Sequence, residues 1–183
     1  ITVSVLANVS SREDTEKAML NGAKGVGLYR MEQAYLGCVV PPSTDELLQE
    51  MRWTLEAAKG CPVIVRLLDI GADKPLPFIR FMAESNPSLG RRGIRLLREY
   101  PELLNTHLRA VLELSREFDV CVLVPMVTLS EDVGTLPPAA FKSSSATTKA
   151  SLSMRAVWAA IFTAQPMHMQ MALTLARVSY LYR

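Results

Sequence analysis

Short apolar runs and helical stripes take turns along the chain from Thr2 to Val124. Thr2 to Ala7 is an apolar run of strand length. Ser10 followed by Glu13 has the spacing of a capping box and predicts a helix to about Asn21, which Gly22 stops. Lys24 to Tyr29 predicts a second strand with Arg30 at its C-terminal end. Ser43 and Glu46 form another capping box, after which Leu47, Met51, Leu55 and Ala58 recur at helical spacing until Gly60. Val63 to Leu68 has the length and branched composition of a buried parallel strand. Pro101 can open the next helix, on which Leu104, Leu108, Val111 and Leu112 share one face, and Val120 to Val124 predicts a fourth strand before Pro125.

This alternation of strands and helices, with one long loop, is the pattern of right-handed βαβ units in a parallel sheet. Four such strands are half of an eight-fold barrel, so the expected fold is α/β, a partial (β/α)8 barrel over residues 1–133. From Gly134 to Arg183 the alternation stops. All 18 acidic residues lie at or before Asp132, facing 15 Lys and Arg, whereas the stretch after Val133 holds five basic residues and no acidic one. A surface-bearing domain normally carries acidic residues throughout. Residues 134–183 are therefore expected to be a tail foreign to what precedes them, either an aberrant end such as a frameshift product or a separate cationic segment.

Composition adds little else. At 49% hydrophobic and 21% charged the chain is an ordinary globular protein, and its net charge of +2 averages two unlike parts. Cys38, Cys61 and Cys121 are scattered and odd in number, with no metal-ligand spacing, which fits reduced thiols in a cytoplasmic protein. No secretory signal is expected, and the apolar run from Ala156 to Ala164 is far shorter than the roughly 20 residues of a membrane span.

Val63 to Arg95 changes the picture, because it packs two aspartates, a lysine and five arginines behind an apolar run. Arg66 sits inside the predicted strand and Asp69 closes it, and a buried charge needs a partner. Gly71, Pro75, Pro77, Asn86 and Pro87 then mark a long loop at a strand's C-terminal end, where parallel α/β folds bind ligands. Arg30 ends the neighbouring strand, and Arg91, Arg92 and Arg95 follow Gly90 at the start of a predicted helix. Two guanidiniums about 6 Å apart repel by roughly 3 kcal/mol at an effective dielectric of about 20. Several together want an anion, and phosphate suits them because each guanidinium can grip two of its oxygens. The alternative is internal pairing of Arg30 and Arg66 with Glu32, Asp69 or Asp73.

Four segments together resemble one family. GVGLYRME (Gly25 to Glu32), VRLLDIGADKPLP (Val65 to Pro77), NPSLGRRGIR (Asn86 to Arg95) and VPMVTLSEDV (Val124 to Val133) are similar, in order and spacing, to the C-terminal barrel domain of enzyme I, the phosphoenolpyruvate-protein phosphotransferase of the bacterial sugar phosphotransferase system. Phosphoenolpyruvate synthase and pyruvate phosphate dikinase are related but resemble the chain less; dikinases usually carry cysteine where Tyr29 stands and lack the DIGADK loop. The resemblance implies that Arg30, Arg66 and Arg92 grip the phosphate of phosphoenolpyruvate. It further implies transfer to a histidine on a separate N-terminal domain, then to a histidine-containing carrier protein, in a homodimer. In the family Mg²⁺ holds the enolpyruvate left behind and a cysteine protonates it.

Several family features are not matched. Motifs resembling ETP, TND and CGE, which carry the metal carboxylates and the proton-donating cysteine, are absent, as is the phosphoacceptor histidine motif. No catalytic residue or metal ligand is therefore assigned, His107 and His168 are read as structural or solvent-facing, and the chain alone is expected to be incomplete for turnover. Ala72 stands for a usual glycine and Ser88 for a usual aromatic or apolar residue, which bears on the loop's shape. A non-catalytic dimerisation or anion-binding fragment is the alternative function. Other readings fall on composition: the glycines at 22, 25 and 27 have the wrong spacing for a dinucleotide loop, and RRGIRLLR lacks the interleaved aromatics of a nucleic-acid surface. Pro166 interrupts any lipid-surface helix in the tail.

Overall fold

The chain lays its strands side by side in the order in which they occur. In the computed structural model, which describes residues 3–136 and 158–159, β1 (Ala7–Val9), β2 (Val26–Arg30), β3 (Val63–Arg66), β4 (Val120–Val124) and β5 (Trp158–Ala159) form one sheet in which every neighbouring pair is parallel. Sequential parallel order is what repeated βα units of one hand produce. The α/β class and the four strands read from the sequence are present, although β3 is shorter than expected. Leu67 still donates its N–H to the Leu123 carbonyl at 2.9 Å, so the chain leaves the sheet gradually.

Helices α1 (Arg12–Leu20), α2 (Thr44–Ala57), α3 (Ile94–Glu99), α4 (Pro101–Leu114) and α5 (Ser130–Gly134) fill the crossovers, and α1 packs on α2, α2 on α4 and α3 on α4. Burial along β3 alternates, with Val63 and Val65 buried and Ile64 and Arg66 half-buried. The buried set joins Leu47, Met51 and Leu55 of α2 and Leu104, Leu108 and Val111 of α4 in the core. A fully buried side chain of this size is worth about 1.5–3 kcal/mol, so the α2 and α4 stripes, and not helix propensity, hold those helices in place. The predicted box at α2 is complete: Ser43 Oγ accepts from the Glu46 N–H, and the Glu46 carboxylate accepts from the Ser43 N–H at 2.7 Å. Pro101 opens α4 as its first residue.

Three expectations are corrected. The first strand is Ala7–Val9 and not Thr2 to Ala7: β2 begins at Val26 and its ladder with the first strand starts at Ala7, although the Val5 carbonyl still accepts the Lys24 N–H at 2.9 Å; the Val3 and Val5 side chains remain exposed. The first helix is capped one residue later, by Ser11 accepting from the Asp14 N–H, while the Asp14 carboxylate accepts from the Ser10 N–H and hydroxyl. Asp14 reaches back where Glu13 was expected to. The helix predicted after Gly90 starts only at Ile94, since Gly93 at φ +55 breaks the chain direction. A Cβ on Gly93 would lie 3.0 Å from the Pro125 carbonyl oxygen, so this close passage also requires glycine.

Trp158 and Ala159 pair with Leu123 and Val124 along the edge of β4. The sequence shows no strand there, because two residues are too few to carry a period. The rest of the tail, including His168, lies outside the described residues. Among the described residues no helix is long and apolar enough to cross a membrane, and none of Cys38, Cys61 and Cys121 is in a disulfide.

Candidate functional site

Arg30 and Arg66 are the last residues of β2 and β3, and their Cα atoms are partners in register. Paired residues on parallel neighbours point to the same face, with the strands about 4.8 Å apart. The two cations therefore share one mouth, as the sequence pattern predicts. Beneath them, Tyr29 points the other way into the core, where burial pushes its phenol up to about 12 with Thr54 pulling it back slightly.

Arg66 is held by carboxylates. Its Nη2 donates to Glu32 Oε1 at 2.7 Å and its Nη1 lies 3.4 Å from Asp69 Oδ2. Glu32 belongs to the 3₁₀ turn Met31–Ala34 directly after β2, is buried, and also accepts the Asp69 N–H at 3.3 Å. Arg92 reaches the same hub: its Nε donates to Asp69 Oδ1 at 2.9 Å, its Nη2 to the Asp69 carbonyl at 3.4 Å, and its Nη1 to Asp73 Oδ1 at 3.4 Å. Burial alone would lower the pKa of Arg92, but its hydrogen bond to Asp69 and the charges of Asp69, Asp73 and Glu32 outweigh that and raise it. Arg92 is thus a fixed cation.

Arg30 stands outside this network. It is exposed, and its charge helps at longer range to hold down the Asp14 carboxyl, which is held down first by its hydrogen bonds to Ser10. The internal pairing considered for Arg66 is found, whereas that considered for Arg30 is not found among the described residues, since Glu32 turns towards Arg66. Two guanidiniums, Arg66 and Arg92, and three carboxylates, Glu32, Asp69 and Asp73, form the cluster, and Arg30 at the neighbouring strand end is exposed.

Arg91 and Arg95, also expected to converge here, do something else. Arg91 donates from Nε to Glu99 at 2.7 Å and from Nη1 to the Arg80 carbonyl at 2.8 Å, and its guanidinium stacks 5.7 Å from the centre of the Tyr100 ring. Its N–H donates to Glu84 at 2.9 Å. Arg95 donates to the carbonyls of Leu89 and Gly90. Both stitch the 67–93 loop to α3. Nor does the helix start add donors to an anion, since the Ile94 N–H is taken by the Pro125 carbonyl at 3.2 Å. Gly71 lets the loop pass close to Arg92, as a Cβ there would lie 3.0 Å from that of Arg92. At Ser88, an N–H donated to Asn86 Oδ1 at 3.1 Å closes the turn with a side-chain bond. Pattern reading named Glu32, Asp69 and Asp73 as partners but not Asp69 as the bridge; its position three residues after Arg66 was the available signal.

Mg²⁺, which the resemblance implies, is not matched by the donors present. Glu32, Asp69 and Asp73 are each engaged by a guanidinium, and Asp132 is buried against Arg98 and the N–H groups of Thr128 and Leu129. Among the described residues no three His, Cys, Asp or Glu come together as a metal needs. His107, read as structural or solvent-facing, is fully buried on α4, where burial lowers its pKa to about 3.

Residues 1–157 match the family described as PEP-utilising enzyme, PEP-binding domain. The chain is 42% identical over 132 residues to the phosphoenolpyruvate-protein phosphotransferase of Geobacillus stearothermophilus, covering 72% of this chain and 23% of that protein. It is 40% identical over 125 residues to the protein of the same name from Bacillus subtilis (strain 168), covering 68% and 22%. It is 37% identical over 133 residues to multiphosphoryl transfer protein 2 of Escherichia coli (strain K12), covering 73% and 16%. The chain spans less than a quarter of the length of these relatives.

Proposed function

We propose, from the premise that this chain belongs to the PEP-utilising enzyme family through its PEP-binding domain, that Arg30, Arg66 and Arg92 grip the phosphate of phosphoenolpyruvate. The observation that carries this reading is the in-register pairing of Arg30 with Arg66, with Arg92 joined to Arg66 through Asp69. Guanidiniums on adjacent strand ends offer parallel N–H pairs to the oxygens of one phosphate. Arg66 and Arg92 are already oriented, so binding needs little further ordering of their long side chains.

In this reading the parent protein passes the phosphoryl group from phosphoenolpyruvate to a protein histidine, as the names of its relatives suggest. The acceptor is a histidine on an N-terminal domain, followed by a histidine-containing carrier protein; the assembly is a homodimer that serves sugar uptake in the cytoplasm. Residues 1–133 form the first half of the barrel, and 134–183 form a tail of different origin. Mg²⁺ belongs to the parent's chemistry. The described residues hold the substrate and do not complete the transfer.

Calorimetric titration of phosphoenolpyruvate tests the grip. Each charge-assisted hydrogen bond contributes about 1.5–3 kcal/mol, so Arg66→Ala combined with Arg92→Ala lowers affinity at least about 100-fold. Because those changes also unpair buried carboxylates, Arg30→Ala is the cleaner variant: it lies outside the ion-pair network, and it weakens binding about 10-fold or more with melting unchanged. Equal affinity in all three proteins overturns the assignment.

A further inference from the structure

We infer that Asp69 is a positioning residue, holding Arg66 and Arg92 in the arrangement that receives a phosphate monoester dianion without touching the phosphate itself. This rests on the phosphate reading and says how the site is built before the ligand arrives. Each polar part of Asp69 is committed to the cluster. Oδ2 faces Arg66 Nη1 at 3.4 Å, Oδ1 accepts from Arg92 Nε at 2.9 Å, the carbonyl accepts from Arg92 Nη2 at 3.4 Å, and the N–H donates to Glu32 Oε1 at 3.3 Å. Leu67, Leu68 and Ile70 on either side are fully buried, so the backbone that carries this carboxylate is anchored in the core. Asp69 itself is only 9% exposed.

A carboxylate between two guanidiniums can play two opposite parts. As a competitor it occupies donors that the phosphate needs, and removing its charge tightens anion binding. As a positioner it overcomes the repulsion between two cations and fixes their planes, so removing its charge loosens them and weakens binding. The geometry favours the second part. A guanidinium carries five N–H donors. Glu32 and Asp69 face one terminal nitrogen each of Arg66, and Arg66 Nε is buried with no partner among the described residues, so the carboxylates orient this group without saturating it. On Arg92, Asp69 takes the inner Nε at short distance, while the outer Nη atoms make only long contacts at 3.4 Å. Asp73 differs: it lies further out, is 36% exposed and meets Arg92 alone. Asp73 has the geometry of a competitor and Asp69 that of a brace.

The 183-residue chain, labelled with ¹⁵N, gives two independent readouts. In the absence of ligand the Arg92 Nε–H signal is expected to exchange slowly with water. Asp69→Asn keeps the size of the side chain, yet its single carbonyl oxygen cannot brace two guanidiniums; it speeds that exchange more than about 10-fold and weakens phosphoenolpyruvate binding about 10-fold, although the site has gained net positive charge. Asp73→Asn leaves the exchange slow and binding equal or tighter. Asp69→Glu keeps the charge and moves the carboxylate by one methylene; it also weakens binding, and it decides the question if the Asn variant does not fold. Unchanged Arg92 exchange in Asp69→Asn, tighter binding in that variant, or unaltered affinity in Asp69→Glu overturns the inference. If the unsubstituted chain shows no response to phosphoenolpyruvate, the phosphate reading falls, while the exchange of Arg92 still judges the brace.

Discussion

His107 shows what a single buried group does to the stability of this chain. It lies on α4 with no exposed surface, 6.5 Å from the Tyr35 ring centre to centre, and neither ring nitrogen has a hydrogen-bond partner among the described residues. Burial is the cause that lowers its pKa to about 3. The unfolded chain binds a proton at this residue below about pH 6.5, whereas the folded chain does not until about pH 3. Its contribution is therefore whole above about pH 6.5 and is lost progressively as the pH falls towards 3, at about 1.4 kcal/mol per pH unit. Urea unfolding of the chain and of His107→Leu between pH 7 and 4 checks this. The variant is expected to lose stability less steeply by about that amount per unit, and parallel slopes would falsify the assignment. At pH 7 the change costs little or stabilises, because it removes two unpaired polar atoms along with the ring. The sequence placed His107 on a helix beside Leu104, Leu108 and Val111, but one histidine within an apolar stripe does not say whether it points inward. Only the Tyr35 contact from another element settles that.

Elements were legible where the signal was local and complete. The α2 helix has a capping box that satisfies donors on both sides, and Leu47, Met51 and Leu55 follow it as a buried stripe. Ser43→Ala leaves the Glu46 N–H without its acceptor and is expected to cost about 1 kcal/mol, read as a fall in melting temperature with no change in phosphoenolpyruvate affinity. A melting temperature equal to that of the parent sinks this role for Ser43. At the first helix two serines and two acidic residues are adjacent, so the spacing fits more than one register; Ser11 and Asp14 win. Arg30 was legible as a strand end because an apolar run stops at it, whereas Arg66 read as interior to a longer run, Val63 to Leu68, and the strand in fact ends at it. The delay of α3 to Ile94 was not, because it depends on the close passage of Gly93 by Pro125, the residue after β4, far along the chain. The same limit hid the roles of Arg91 and Arg95, whose partners Arg80, Glu99 and Leu89 are set by the folded course of the loop.

At the scale of the molecule the sheet has an open requirement. A parallel sheet normally buries both faces, and here α1 packs on α2 and α2 on α4. Residues alternating with the core set, Leu28, Ile64 and Cys121, are only half-buried. Among the described residues β1 pairs on one side only, and the chain entering it carries Val3 at 78% and Val5 at 69% exposure. Unpaired strand edges flanked by exposed branched residues recruit further strands, whether from a closing barrel or from another molecule. The 183-residue chain by itself is thus expected to self-associate as its concentration rises. Light scattering coupled to size exclusion measures this directly: the apparent mass should increase over a dilution series, and Val3→Asp combined with Val5→Asp should shift it towards one copy, because charges beside an edge oppose pairing. The pair of aspartates touches neither the core nor the arginine mouth, so it should leave phosphoenolpyruvate affinity intact. A single monomeric mass at every concentration, with a sharp cooperative melt, would mean that the edge and the open face are already satisfied within one copy.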